Sequence, residues 1–141
     1  MNDQNLGFPL FAERLAKKPR LLIVDDDSVN LLMIGAIFEE DHEVILADSG
    51  GLALEICRKD APDLLLLDIL MPDLDGLEVC RELKADPATQ GIPIIFITAQ
   101  GTPHEETAAL SMGAVDFITK PVNPSVVRAR VKTHLTLKAQ S

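Results

Sequence analysis

Six residues, Asp63-Leu64-Leu65-Leu66-Leu67-Asp68, constrain this chain more than any others. Four consecutive leucines framed by acids show no polar alternation, and the run is short. Both properties suit a strand buried on both faces of a sheet. Four further runs share this character: Leu21–Val24 opened by Arg20, Glu43–Ala47, Pro93–Thr98 and Ala114–Ile118.

A helical pattern follows each run. Ser28 to Glu40 carries apolar residues at Val29, Leu32, Met33, Ala36 and Ile37, and Asp27 or Ser28 is placed to cap it. Ser49-Gly50-Gly51 opens a helix that runs to about Lys59. Asp75 with Glu78 reads as a capping box for a helix ending near Asp86-Pro87. Thr102, Pro103 and Glu105 mark another start, and Gly113 its end. Asn123-Pro124 opens a last helix with an apolar line through Val127, Val131 and Leu135. Strand and helix therefore alternate five times. Wholly apolar strands alternating with amphipathic helices predict one doubly wound α/β domain, with a five-stranded parallel sheet and helices on both faces.

Composition narrows the class. With 141 residues, 47% apolar and 25% charged, the chain is long enough to bury a core without disulfides or metal. No apolar stretch reaches membrane-spanning length, and Met1 to Arg20 lacks the apolar segment of a signal peptide. The expected location is cytoplasmic. Cys57 and Cys80 lie in apolar stretches without metal-ligand spacing and read as buried free thiols. The net charge of −9 divides into about +2 for residues 1–20, about −16 for 21–119 and about +5 for 120–141. An acidic body argues against direct nucleic-acid binding, since phosphates must be met by Lys and Arg. With no Trp or Tyr and only five Phe, stacking platforms for single strands are scarce as well. His42, His104 and His134 read as surface residues, and the basic stretch Arg128 to Lys138 as a solvated helix face.

In such a sheet the functional crevice lies at the carboxyl ends of the strands. The residues there form one polar set: Asp25, Asp26 and Asp27, then Asp68, Thr98 and Lys120. Two carboxylates about 4 Å apart repel by roughly 4 kcal/mol at an effective dielectric of about 20. A cation relieves that cost. Oxygen-only ligands suit a hard ion such as Mg²⁺, shared with a phosphate. A divalent ion, a lysine and a hydroxyl around one carboxylate are what an aspartyl phosphate requires.

Four pieces carry a family resemblance: Val24-Asp25-Asp26, Leu67-Asp68-Ile69-Leu70-Met71-Pro72-Asp73-Leu74-Asp75-Gly76, Ile97-Thr98-Ala99 and Phe117-Ile118-Thr119-Lys120-Pro121. Together and in this order they resemble the CheY-like receiver domain of two-component response regulators, over about residues 20–138. The resemblance implies the flavodoxin-like strand order 2-1-3-4-5. It implies that Asp68 accepts a phosphoryl group from a sensor histidine kinase or phosphotransfer protein. Asp26 and Asp68 would ligate Mg²⁺ with the backbone carbonyl of Leu70, and Asp25 mostly through a metal-bound water. Lys120 would pair with the carboxylate or phosphate, Thr98 would turn its hydroxyl to the phosphate, and Phe117 would swing inward. A cis Lys120–Pro121 bond is also implied. Such a module is no enzyme beyond its own phosphoryl transfer and autodephosphorylation.

The stretch from Val122 to Lys138 is similar to the last receiver helix of regulators whose output makes or degrades cyclic di-GMP. The partner downstream would then be an output domain or protein of that kind, and the chain either a stand-alone receiver or a piece of a longer regulator. Residues 1–19 read as a tail or a short docking helix carrying Leu6, Phe8, Leu10, Phe11 and Leu15, and 139–141 as a tail or truncated linker. A homodimer through the last strands and helices is a further expectation. Other chemistries on this type of fold need residues that are missing: G-x-G-x-x-G after the first strand, a G-x-x-x-x-G-K-[ST] loop, or the D-x-D-x-T of an aspartyl phosphatase. A scaffold that recognises partners without phosphorylation keeps the same residues and stays open.

Overall fold

A buried strand must pair its backbone groups, and the five apolar runs do so with one another. The computed structural model describes residues 17–140. Its elements are β1 (Arg20–Val24), α1 (Ser28–Phe38), β2 (Glu43–Ala47), α2 (Gly50–Lys59), β3 (Leu64–Asp68), α3 (Gly76–Ala85), β4 (Ile94–Thr98), α4 (Pro103–Ser111), β5 (Asp116–Thr119) and α5 (Pro124–Gln140). All strands are parallel, in the order β2-β1-β3-β4-β5, as the family resemblance implies. Most of the N-terminal extension expected over 1–19 lies outside the described residues. The last helix runs on through Ala139 and Gln140.

Alternation along each strand builds two cores. Leu22, Val24, Leu65, Leu67, Ile94, Phe96 and Phe117 face α2, α3 and α4, where they meet Leu54, Cys57, Cys80, Leu83 and Ala109. Leu21, Ile23, Leu64, Leu66, Ile95, Ile97 and Ile118 face α1 and α5, against Ile34, Phe38, Val127 and Val131. Both thiols are free and buried. Fully burying a Leu or Ile side chain stabilises by about 1.5–3 kcal/mol, so the central strand, buried at all five positions, anchors both layers.

Helix starts follow their caps. Asp27 accepts from Val29 N and Asn30 N, Asp75 from Glu78 N, and Thr102 from Glu105 N. The expected capping boxes are half closed. Glu78 pairs with Arg81 instead of returning to its cap, and Glu105 Oε1 is buried without a partner.

Four expectations need correction. The outward face of α1 carries Val29, Leu32 and Met33, which are 61%, 66% and 63% exposed, while Leu31, Ile34, Gly35 and Phe38 face the sheet. The helix is apolar almost all round, so more than one stripe has helical period and only docking on the sheet chooses between them. The fifth strand is Asp116–Thr119, with Ala114 leading into it rather than pairing within it. His42 and His134 are largely covered, at 12% and 15% side-chain exposure, each against an acid: Asp41 at 2.8 Å and Asp116 at 3.1 Å. Only His104 stands in solvent as expected. The basic face of α5 is likewise used: Arg128 reaches Asp41 and the Ile37 carbonyl, and Arg130 reaches Asp116.

Gly76 is fixed by close approach. A Cβ there would lie 2.2 Å from the Asp68 carbonyl oxygen. Gly76→Ala must therefore push α3 away from the end of β3. The expected loss is about 1–3 kcal/mol, the usual range for overpacking a close contact, read as a lowered urea midpoint. An unchanged midpoint would contradict this packing.

Candidate functional site

Register brings the polar strand ends together. Val24 pairs with Leu67, so the next residues, Asp25 and Asp68, leave neighbouring strands side by side. Thr98 pairs with Thr119, which sets Lys120 one step beyond. The Lys120 backbone N–H donates to the Thr98 carbonyl at 2.8 Å and holds the two strand ends in line. The Lys120–Pro121 bond is cis.

Asp25 and Asp68 are both buried, at 2% and 6% exposure. Lys120 Nζ spans them, donating to Asp25 Oδ2 at 2.8 Å and to Asp68 Oδ2 at 3.3 Å. Asp25 Oδ1 accepts from Asp27 N at 2.9 Å. Asp25 is thus the lysine's nearer partner, a direct contact that the sequence reading did not assign. Asp26 is exposed and completes a cluster in which ligand atoms of Asp25, Asp26 and Asp68 lie within 4.8 Å of one another. Thr98 is fully buried, and its hydroxyl accepts from Gln100 N at 3.4 Å. Phe117 is buried among the side chains under α2, α3 and α4. Leu70 lies two residues past Asp68 with its side chain in solvent. Gly76 belongs to the site's support, because it packs on the Asp68 carbonyl and donates its N–H to Ile69 O.

Electrostatics follow from the enclosure. Burial first, then the charge of Asp25, push the Asp68 carboxyl up to about 6, with Lys120 opposing both. Burial alone would lower Lys120, but the hydrogen bond to Asp25 and the charges of both carboxylates hold its ammonium above the ordinary range. Three carboxylates facing one ammonium leave the cluster short of positive charge. The donor set is oxygen throughout, which fits a hard divalent cation and not a thiophilic one.

The sign of the pH dependence is fixed by these shifts. Between about pH 4 and about pH 6 the folded chain keeps a proton on Asp68 that the unfolded chain has released. Stability therefore falls as pH rises through that window. Without divalent ions, Asp68→Asn should melt above the parent at pH 7, by on the order of 1–3 kcal/mol. The difference should close toward pH 4. Thermal scans across this range check it, and equal melting at pH 7 would count against the buried repulsion.

Comparison with known proteins gives one answer. The sequence profile described as Response regulator receiver domain matches residues 21–132. The chain is 42% identical over 115 residues to Response regulator PleD of Caulobacter vibrioides, covering 81% of this chain and 25% of PleD. It is 40% identical over 118 residues to a Probable cyclic di-GMP phosphodiesterase of Vibrio cholerae, covering 84% of this chain and 27% of that protein. It thus spans about a quarter of the length of these two relatives. The structure superposes on a CheY-like response regulator receiver domain protein from Methanospirillum hungatei with a TM-score of 0.82 at 30% identity, over 88% of this chain and 98% of that one. Receivers of two-component systems are phosphorylated on an aspartate and bind Mg²⁺ as general properties, and no described helix here is long and apolar enough to cross a membrane. Profile, relatives and fold agree, and the chain belongs to the response regulator receiver domain family.

Proposed function

We propose that Asp68 is the phosphoacceptor of a cytoplasmic signalling switch. The observation that carries this reading is the buried Asp25–Asp68 pair bridged by Lys120. Asp68 Oδ attacks the phosphorus of a phosphohistidine on a sensor kinase or phosphotransfer protein. An O–P bond forms as the N–P bond breaks, and the imidazole leaves with its electron pair. Such a transfer needs positioning and charge neutralisation more than covalent help. Asp26 and Asp68, the Leu70 carbonyl, and Asp25 through water would hold Mg²⁺. Bound there, the ion neutralises phosphoryl oxygens and screens the carboxylates from one another.

Lys120 then exchanges a carboxylate partner for the phosphate. Thr98 turns its hydroxyl toward the new charge, and Phe117 packs behind it. An added charge of about −1.5 to −2 at one spot supplies the driving force. The response is read on β4, β5, α4 and α5, by a second copy or by an output of the cyclic di-GMP-related kind named for the Vibrio cholerae relative. The domain's only chemistry is its own phosphoryl transfer and the loss of that group.

Incubation with acetyl phosphate and Mg²⁺ should add one phosphoryl group by intact mass, and Asp68→Asn should abolish the gain. Retained modification in that variant would refute the assignment. A folded parent that takes no phosphoryl group from acetyl phosphate or from phosphohistidine peptides would mark a scaffold instead. Lys120→Ala should still take the group but show much less change in partner binding or self-association. Millimolar Mg²⁺ should raise the melting temperature of the parent, since it binds the folded site alone. The rise should be lost in Asp26→Asn.

A further inference from the structure

Gly101 does not owe its place to backbone conformation. Among the described glycines Gly113 alone has a positive φ. The reason at 101 is space. A Cβ there would lie 2.0 Å from Thr119 Cγ2 and 3.3 Å from Thr119 Cβ, with Phe117 Cε1 3.8 Å away. Non-bonded carbons settle at about 3.5–4.0 Å. The backbone at 101 therefore lies directly on the end of β5, where a side chain would otherwise stand.

The turn that carries this glycine is short and tied at both ends. Ala99, Gln100 and Gly101 join the end of β4 to Thr102, the cap of α4. The Gln100 N–H donates to Thr98 Oγ1 at 3.4 Å, and Thr102 Oγ1 accepts from Glu105 N at 3.1 Å. Thr98 and Thr119 are register partners, so the turn leaves one strand and folds back over the end of its neighbour. The helix behind it offers little resistance to a shift. Ala109 is the one residue that α4 buries, whereas α2 buries Gly50, Ala53, Leu54 and Cys57, and α3 buries Gly76, Val79, Cys80 and Leu83. Glu105 Oε1, in the first turn of α4, is buried without a partner, a cost that the seated helix carries. Few buried apolar contacts mark a segment of low local stability.

We infer that Gly101 is a positioning residue of the site. Lacking a side chain, it lets the β4–α4 turn lie down on Thr119 and Phe117, which keeps Gln100 N on the Thr98 hydroxyl and α4 in its seat. A side chain at 101 lifts the turn, draws the amide off the hydroxyl and loosens α4. This holds for the chain without any modification. Its consequence for switching rests on the phosphoacceptor reading. The Thr98 oxygen that would move toward a phosphoryl group on Asp68 is the one Gln100 N holds, so the residue at 101 sets what that movement must break.

The test is amide hydrogen exchange on the full chain, first without phosphorylation. Gly101→Ala should raise exchange across 103–111 by about tenfold, and Gly101→Val further, while β3 and α5 exchange as in the parent. Thr119→Ala alone should leave α4 unchanged. In Gly101→Ala/Thr119→Ala the methyl at 2.0 Å is gone, and exchange in α4 should return to within about twofold of the parent. That rescue separates the contact at 101 from any general effect of replacing a glycine. Parent-like exchange in both Gly101 variants would overturn the inference, since Thr119 would then have turned aside with the turn unmoved. So would a rise that Thr119→Ala does not reverse, or one that spreads to every strand. With acetyl phosphate and Mg²⁺, the parent should loosen α4 and Gly101→Ala should change little further. An equally large further change in the variant would overturn the consequence for switching. A parent that gains no phosphoryl group by intact mass would refute the phosphoacceptor reading, and the first exchange comparison would still decide the role of Gly101.

Discussion

The site depends on one electrostatic constraint: two carboxylates buried side by side at the ends of β1 and β3, with a single ammonium between them. Neither acid can leave, because each follows directly on a fully apolar strand whose register is set by the core. The repulsion is therefore built into the fold. Lys120 offsets part of it, and the rest favours a bound cation. The carboxylates whose chemistry suits a cation are the ones that make the site costly to hold with Lys120 as their one close ammonium.

On the other side of the site, β4 and β5 connect it to both layers of the molecule. Thr98 and Lys120 are joined by a backbone hydrogen bond, which ties the ends of the two strands that carry the hydroxyl and the ammonium. Phe117 and Ile118 alternate into the two cores, and a shift of β5 is felt on both faces of the sheet. At the strand's start, Asp116 accepts from Phe117 N, Arg130 and His134. These three bonds hold the Asp116 carboxyl below its ordinary range against its burial. They tie β5 to α5 only one residue from Phe117. The basic character of α5 is in part the other half of such internal pairs.

Much of the architecture was legible in residue order alone. The leucine run of β3, the Asp75 and Thr102 caps, Gly113 at φ +104 and the Asn123-Pro124 start each act over a few residues, and local rules suffice for them. The set Asp25, Asp26, Asp68, Thr98 and Lys120 was legible for a related reason. In a parallel sheet every strand end points to the same rim, so residues far apart in sequence share a place once the strands are found. Gly76 carried a signal too, in the Asp-Gly step after Asp73 and Leu74, but its contact with the Asp68 carbonyl is not a matter of sequence distance.

What the tertiary structure decided lies where local rules offer more than one answer. The α1 sequence is apolar on several stripes, and only packing on Leu21 and Ile23 determined that Leu31, Ile34 and Phe38 turn inward while Val29, Leu32 and Met33 face out. His42 and His134 look like solvent-facing residues until the fold sets Asp41 and Asp116 against them. Lys120 has two carboxylates within reach, and the register of four strands makes Asp25 the nearer. Sequence determined the elements and the chemical types at the rim, because those depend on neighbours along the chain. Rotation of helices, choice of ion-pair partner and depth of burial waited for the fold, because they depend on neighbours in space.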